Sequence, residues 1–218
     1  MLKLKPKKNL GNAPLSRKFF LVGLFCSVFL LSFESQAQSL LSREGWNAEP
    51  AIKTRMKRHK IREITVHHIG FSQDPSKSLE QKLQRLQKHA QRNKPWGDIP
   101  YHFFIDLDGK IAEGRDLKYA GDTNTGYNPA NRVHIVLEGN FDVEQPSSKQ
   151  RSSLQSLVTT MRRKYGLANS KIYGHGDHAP TACPGKNLYQ LIGVLASGGS
   201  IWDGTFDLVG FTSSCDFF

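Results

Sequence analysis

Histidine and cysteine side chains concentrate at three places in this 218-residue sequence. His67 and His68 stand together, Tyr101 precedes His102, and the segment HGDHAPTACPG at 175–185 contains two histidines and a cysteine. Imidazole nitrogen and thiolate sulfur together suit Zn²⁺, and three protein ligands with one open position are typical of a catalytic zinc site. The sequence therefore offers the ligand types of a zinc-dependent hydrolase.

The spacing alone leaves other roles open for these residues. A surface loop with incidental histidines and a buried cysteine would give the same third segment. If the first pair closes a strand, alternation turns His68 away from His67 and gives it a packing or supporting role. The same alternation separates His102 from Tyr101. His178 could in principle be a ligand, but it would crowd the open position that a hydrolase needs.

Hydrophobic spacing predicts the elements that position these residues. Apolar and β-branched runs predict strands, and the Asp108-Gly109 turn joins two of them into a hairpin. Apolar residues at helical spacing predict amphipathic helices, the longest with Gly166 as its C-cap. The predicted strands are 62–67, 101–106, 110–113, 133–137 and 171–173, and the predicted helices are 78–93, 147–165 and 188–195.

The order of these elements predicts the fold class. Strands and helices mix without strict alternation, so we expect an α/β or α+β domain with a single mixed β-sheet flanked by about three helices. The run at 133–137 is nearly continuously apolar, as a buried central strand would be. Residues 116–130, rich in Gly and Asn, predict a loop.

The first 37 residues have the pattern of an export signal. Six Lys and Arg residues precede an apolar run at 19–33, and Ser35-Gln36-Ala37 places small residues where signal peptidase reads them, so we expect cleavage after Ala37. The alternative is an uncleaved N-terminal anchor. With either outcome we expect an exported protein, periplasmic or extracellular. After cleavage we expect no stable membrane insertion.

Composition and charge narrow the classes of partner. The 38% hydrophobic and 22% charged residues argue against a disordered chain and a polytopic membrane protein, and three cysteines are too few for a disulfide framework. The formal charge of +11 becomes +6 once six cations and Glu34 leave with the signal segment. Such a charge favours anionic partners, although it also fits a merely solvated basic surface. In an exported protein an acidic cell-wall polymer is a better candidate than nucleic acid.

Several segments, in the same order, resemble the superfamily of peptidoglycan recognition proteins and phage-type N-acetylmuramoyl-L-alanine amidases. The resemblance covers about residues 42–192. The matching segments are SREGWNA at 42–48, ITVHH at 64–68, WGDIPYHF at 96–103, EGR at 113–115, LEGNF at 137–141 and HGDHAPTACPG at 175–185. It implies a peptidoglycan-recognition-protein-like fold and a zinc amidase activity. Together with the N-terminal pattern and the local composition, it divides the chain into a signal peptide at 1–37, a basic segment at 38–60, a zinc amidase domain at 61–195 and an unassigned tail at 196–218.

The resemblance also implies roles for individual residues. It makes His67, His175 and Cys183 the ligands of one Zn²⁺ per chain, and Tyr101 the residue that positions a water molecule and stabilises the oxyanion. Thr181, two positions before the cysteine, would donate a hydrogen bond of modest catalytic effect. The candidates for contacting substrate are Arg115, Asn140 and His68.

The chain departs at three positions from the pattern of one branch or another of the superfamily. In the branch that acts on anhydro-muropeptides, an aspartate replaces the cysteine and a glutamate on the central strand takes part in catalysis. This chain has Cys183 as the ligand and Val136 at the glutamate position, while Glu138 belongs to another matched position. The loop histidine of phage and animal members is replaced by Thr123. These departures bear on how substrate is held and leave the ligand set intact.

The expected function is therefore hydrolysis of the amide between N-acetylmuramic acid and the L-alanine of the peptidoglycan stem peptide. The expected partners are peptidoglycan or muropeptides. The competing class is a module that binds peptidoglycan without cutting it, although non-catalytic members of the superfamily typically lack the cysteine ligand. A zinc endopeptidase is disfavoured because the sequence has no His-Glu-x-x-His helix.

Overall fold

Strands of the described part of the chain form one sheet. The computed structural model describes residues 40–71 and 75–202. Within these residues the five strands are β1 Glu63–His68, β2 Phe103–Ile105, β3 Ile111–Glu113, β4 Arg132–Leu137 and β5 Ile172–Gly174. The sheet order is β3-β2-β4-β1-β5, with β3 antiparallel to β2 and the other pairs parallel. The predicted mixed sheet, its hairpin and its central strand are confirmed.

Three α-helices accompany the sheet within the same described residues, namely α1 Leu79–Asn93, α2 Ser148–Tyr165 and α3 Lys186–Ala196. Ser78 and Ser147 cap α1 and α2, each through a capping box in which the glutamine three residues later returns a hydrogen bond. Gly166 ends α2 in the left-handed region, at φ 63°. These local signals explain why the predicted boundaries of the helices lie within two residues of the observed ones.

The two faces of the sheet carry different clusters. On the back face, Ile64 and Val66 of β1 pack with the apolar sides of α2 and α3. On the front face, the fully buried Trp46 packs with α1 and with alternate residues of the central strands. Because successive side chains of a strand point to opposite faces, His67 lies on the front and His68 on the back. The front face therefore receives the predicted metal ligand.

Residues on both sides of the predicted domain boundaries at 60/61 and 195/196 make contacts with the sheet. Leu41 forms a bridge beside β3, and the buried Trp46 indole donates a hydrogen bond of 2.7 Å to the carbonyl oxygen of Glu113. At the other end, Ile201 is 5% exposed and packs against the back-face cluster. The stretches 40–60 and 196–202 therefore belong to the folded domain. Composition did not indicate that these two stretches are folded, because their contacts are made by single apolar residues within otherwise polar sequence.

The predicted signal segment at 1–37 and residues 203–218 lie outside the described residues. Across 40–71 and 75–202, no helix combines the length and the hydrophobicity that a bilayer span requires.

Candidate metal centre

Three predicted ligands from separate parts of the sequence meet on the front face. His67 lies near the end of β1, His175 follows β5 directly, and Cys183 lies in the loop before α3. Their ligand atoms all lie within 4.8 Å of one another. Because β1 and β5 are parallel neighbours, their carboxyl ends reach the same edge of the sheet, where ligand sites of such sheets form. The predicted set of ligands is therefore brought together.

The donor set and its spacing fit a zinc ion. The Sγ atom of Cys183 lies 3.7 Å from Nδ1 of His67. A tetrahedral zinc ion with ordinary Zn–S and Zn–N bonds would hold these atoms about 3.6 Å apart. Both histidines are buried and the cysteine is half-buried, so one side of the group remains open. The three ligand atoms are therefore close enough to bind one cation without a rearrangement of the fold.

Burial keeps both imidazole ligands neutral and the thiol protonated while no cation is bound. The pKa of His67 lies well below its usual value, first because of burial and then because of neighbouring histidines, mainly His134. Burial likewise lowers the pKa of His175 to about 4. Burial raises the pKa of the Cys183 thiol to about 12, although the backbone N–H of His68 points at its sulfur from 3.4 Å. A cation bound here would displace the thiol proton.

Each histidine ligand is held through its second ring nitrogen by a residue that sequence reasoning missed. Nε2 of His67 lies 2.9 Å from Nδ1 of His134, and Nε2 of His175 lies 2.7 Å from the hydroxyl of Thr125. His134 had a signal in the sequence, since it is the polar residue inside an apolar central strand. Thr125 had none, because its loop reaches the centre through the tertiary fold alone. Thr123, at the position of the superfamily's loop histidine, lies 2.8 Å from Thr125 and so supports it.

Tyr101 lies beside the centre, as predicted. Its ring centroid is 5.2 Å from that of His67. Burial, with smaller contributions from Cys183 and Tyr127, raises the pKa of its phenol far above 10. The hydroxyl therefore keeps its proton at neutral pH and can donate a hydrogen bond to a developing negative charge.

Thr181 and His178 both lie near the centre without belonging to the ligand group. The Thr181 hydroxyl oxygen accepts a hydrogen bond of 3.2 Å from the backbone N–H of Cys183, and its proton remains available for a second bond. Nε2 of His178 lies 3.1 Å from the Thr65 hydroxyl and 3.3 Å from Nε of Arg132. The interpretation that His178 is not a ligand agrees with this position.

Arg115, a predicted substrate contact, is bonded to the protein through every nitrogen of its guanidinium group. Arg115 is 2% exposed. Its nitrogens donate to the carbonyl oxygens of Asp98, Ile99 and Ala120 and pair with the Asp122 carboxylate. These bonds engage four of the five N–H groups of the guanidinium and fix the backbone on either side of Tyr101. A substrate contact by Arg115 stays a prediction.

Asn140 and His68 are also placed by local contacts. The Asn140 side-chain oxygen accepts a hydrogen bond of 3.2 Å from the backbone N–H of Asp142, which closes a turn after β4. His68 is buried on the back face, where its Nδ1 accepts from the backbone N–H of Phe141 at 3.3 Å. The packing alternative for His68 is therefore the one that the geometry favours. A substrate contact by Asn140 remains a prediction.

An aromatic and cationic wall borders the centre. The centroid of the Tyr127 ring lies 5.3 Å from the ring centroids of His175 and His178. The Cζ atom of Arg132 lies over the same Tyr127 ring, 5.3 Å from its centroid. A separate cavity of about 690 Å³ is lined by Arg43, His59 and others and includes none of the three ligands. Donor chemistry, rather than concavity, therefore distinguishes the metal centre.

Fold and centre together define a class of protein, a single-sheet α/β domain with a His–His–Cys group at the carboxyl edge of its parallel strands. The chain belongs to the N-acetylmuramoyl-L-alanine amidase family, which matches residues 57–186. It is 30% identical over 167 residues to peptidoglycan recognition protein 1 of Mus musculus, covering 75% of this chain and 91% of that protein.

Solved structures agree with this assignment. N-acetylmuramoyl-L-alanine amidase LysC from Clostridium intestinale is 26% identical and aligns with a TM-score of 0.57, covering 72% of this chain and 97% of that chain. The Drosophila peptidoglycan recognition protein LB aligns with a TM-score of 0.64 at 24% identity, covering 76% of this chain and 99% of that chain. The second likeness bears on the fold alone.

Proposed function

We propose that the protein is a zinc-dependent N-acetylmuramoyl-L-alanine amidase that cleaves the bond between N-acetylmuramic acid and L-alanine in peptidoglycan. The observation that carries the proposal is the meeting of His67, His175 and Cys183 within 4.8 Å, with Tyr101 beside them. Membership of the amidase family and the 30% sequence identity to a peptidoglycan recognition protein support peptidoglycan as the class of substrate.

One zinc ion per chain would be held by the two imidazoles and the thiolate. When bound there, zinc would lower the pKa of a water molecule and polarise a carbonyl oxygen. The overall reaction consumes one water molecule, breaks the C–N bond, and leaves a carboxylate on the muramic acid and a free amine on the alanine.

The side chains of this protein would contribute orientation and hydrogen bonding. Tyr101 retains its phenol proton because burial raises its pKa, so it can donate to the oxyanion that forms when the carbonyl carbon becomes tetrahedral. Thr181 can donate a weaker, neutral hydrogen bond from the opposite end of the cysteine loop. The Tyr127 ring would form a wall against which a glycan or peptide could lie, and Arg132, held by its ion pair with Glu63, lies over that ring.

The competing function is that of a module that binds peptidoglycan without cutting it. The observation that favours it is the 30% sequence identity to peptidoglycan recognition protein 1 of Mus musculus. A module that only binds has no need of a gathered ligand set or of a protonated tyrosine beside it. The two functions predict different products, so a single type of experiment separates them.

The test is digestion of purified sacculi by the zinc-loaded protein, with the products read by mass spectrometry. We expect free stem peptides beginning with L-alanine and glycan strands that have lost them. Tyr101→Phe serves as the matched variant, because it should bind zinc and sacculi while cutting slowly. Binding of sacculi by wild type with no released peptide would replace the amidase by the binding module.

We also propose that the protein acts outside the cytoplasm after cleavage near Ala37. Support comes from the basic and apolar pattern of the first 37 residues and from the extracytoplasmic location of the proposed substrate. N-terminal sequencing of the protein from the producing cell should begin near Gln38. A chain that begins at Met1 in the soluble cytoplasmic fraction would contradict export.

A further inference from the structure

His134 connects a metal ligand to the protein backbone. It lies in the central strand β4, is fully buried, and faces the front of the sheet with His67. Its Nδ1 is 2.9 Å from Nε2 of His67, and its Nε2 is 2.9 Å from the carbonyl oxygen of Pro129. The two ring nitrogens of His134 therefore bridge the ligand and a fixed acceptor.

This bridge determines where the ring protons sit. A carbonyl oxygen can only accept, so Nε2 of His134 must carry the proton that it donates to Pro129. In the neutral ring, Nδ1 of His134 is then an acceptor and receives the Nε2 proton of His67. Nδ1 of His67 is left as the acceptor nitrogen, and it lies within hydrogen-bonding reach of Cys183 Sγ, at 3.7 Å. The relay thus presents the nitrogen that a metal needs.

The fold leaves a fitted space for the His134 ring. A Cβ atom added to Gly121 would lie 2.6 Å from the ring carbon Cδ2 of His134 and 2.7 Å from the carbonyl oxygen of Pro100. On the other side the ring stacks on His102, with centroids 5.6 Å apart and planes 20° apart. Gly121 and the stacked His102 ring together fix the plane of the His134 ring. An apolar side chain in this strand would not require such a fixed orientation.

We propose that His134 is a positioning residue of the metal centre, which fixes the tautomer and the orientation of His67 through the relay from His67 to the Pro129 carbonyl. Partners that hold the second nitrogen of a metal-bound histidine commonly change metal affinity by about 10–100-fold when they are lost. The proposal rests on the metal site of the proposed function and not on amidase activity, so the two can fail separately.

Zinc affinity of three variants tests the proposal, measured by competition with a chelating dye on protein shown to be folded by its thermal melt. His134→Leu removes the acceptor and should weaken zinc binding by about 10–100-fold. His134→Asn keeps an acceptor close to the position of Nδ1 and should stay within a few-fold of wild type. His59→Leu is the matched control, because His59 also bonds one carbonyl and one backbone N–H but does not contact a ligand.

The outcomes decide for or against the relay. Wild-type zinc affinity in folded His134→Leu would overturn it, and equal losses in the leucine and asparagine variants would assign the effect to ring packing and overturn it too. Should the leucine variant not fold, the ring ¹⁵N spectrum of wild type without zinc decides. We expect the proton of His67 on Nε2 and that of His134 on Nε2, whereas a proton on Nδ1 of His67 would overturn the proposal.

Discussion

This fold contains two buried clusters of nitrogen-bearing side chains, one around Arg115 and one around His67. The first stabilises the fold, and the second gathers possible metal ligands. In the cluster around Arg115, every nitrogen of the guanidinium group is bonded to the protein. In the cluster around His67, Nε2 of His67 and Nε2 of His175 are bonded to the protein, and Nδ1 of His67 lies 3.7 Å from Sγ of Cys183. The first cluster satisfies its charge within the protein, whereas the second gathers three possible ligand atoms within 4.8 Å of one another.

The comparison teaches how a structural polar group differs from a functional one. Arg115 joins the segments on both sides of Tyr101, and Arg43 extends this cluster through its ion pair of 2.9 Å with Asp98. These charges stabilise the loop because their partners satisfy them. The neutral His67, by contrast, is oriented by His134 through Nε2 and directs Nδ1 at the Cys183 sulfur, another possible metal ligand. Burial and polarity alone do not separate the two cases, whereas the partners of each atom do.

The largest effect that would sharpen this comparison is the loss of zinc in Cys183→Ser. A serine hydroxyl is a poor zinc ligand at neutral pH, so the variant should bind well below one zinc per chain and lose its hydrolytic activity. Metal analysis after dialysis measures the first, and release of stem peptides measures the second. His178→Ala is the control in the same loop and should keep its zinc. Full activity in metal-free protein would break the comparison.

The next largest effect concerns the cluster around Arg115. Arg115→Met should lower the free energy of unfolding by about 3 kcal/mol, because Asp122 and the carbonyl oxygens bonded to Arg115 lose their partner. Urea unfolding measures this, with exposed Arg85→Met on α1 expected to change it by less than about 0.5 kcal/mol. Folded Arg115→Met should still bind one zinc. If Arg115→Met lost its zinc while its free energy of unfolding stayed unchanged, Arg115 would support the metal centre, and the two clusters would act as one unit.

Tyr101→Phe should lower turnover by about 10²–10³, or roughly 3–4 kcal/mol in the barrier, while zinc content stays unchanged. The reason is that only the transition state carries the charge to which the phenol donates. Turnover on a muramyl-peptide substrate, with bound zinc and thermal midpoint measured in parallel, checks this. Tyr165→Phe at the end of α2 is the control and should turn over like wild type. A Tyr101 variant that is less stable yet equally fast would make this tyrosine a packing residue.

The smallest effect is expected for Thr181→Val. Its hydroxyl accepts one hydrogen bond from the Cys183 backbone and can donate one neutral bond, so the change should cost about 1 kcal/mol, divided between stability and turnover. Thermal midpoints and initial rates on the same substrate resolve the two contributions. A loss in turnover as large as that of the Tyr101 variant would assign Thr181 a larger catalytic role than a neutral donor can provide.

Local patterns were sufficient for most of the architecture. The capping serines and Gly166 mark the ends of α1 and α2, and the Asp108-Gly109 turn marks the hairpin between β2 and β3. Each of these signals lies within a few residues of the element that it defines. The same is true of the sheet pattern that separates His67 from His68. Such features are determined by backbone preferences and side-chain periodicity, so a window of sequence contains them.

The extent of the folded domain and the hydrogen-bond partners of its buried polar side chains depended on contacts between residues that are distant in sequence. Trp46 lies in a polar stretch, yet it is buried because the front of the sheet, 67 residues away at Glu113, supplies its partner. Arg115 matched a substrate-binding segment, yet its donors are consumed by backbone carbonyls that only the fold brings near. No local pattern contains the position of those carbonyls.

The sequence by itself determined the ligand types, the strands and helices that carry them, and the likeness to an amidase family. Only the tertiary structure decided which nitrogen of His67 faces Cys183, because that choice depends on His134, 67 residues away in sequence and adjacent in the sheet. The physical reason is that propensity and periodicity act along the chain, whereas a buried hydrogen bond forms between whichever groups the packed sheet places within about 3 Å.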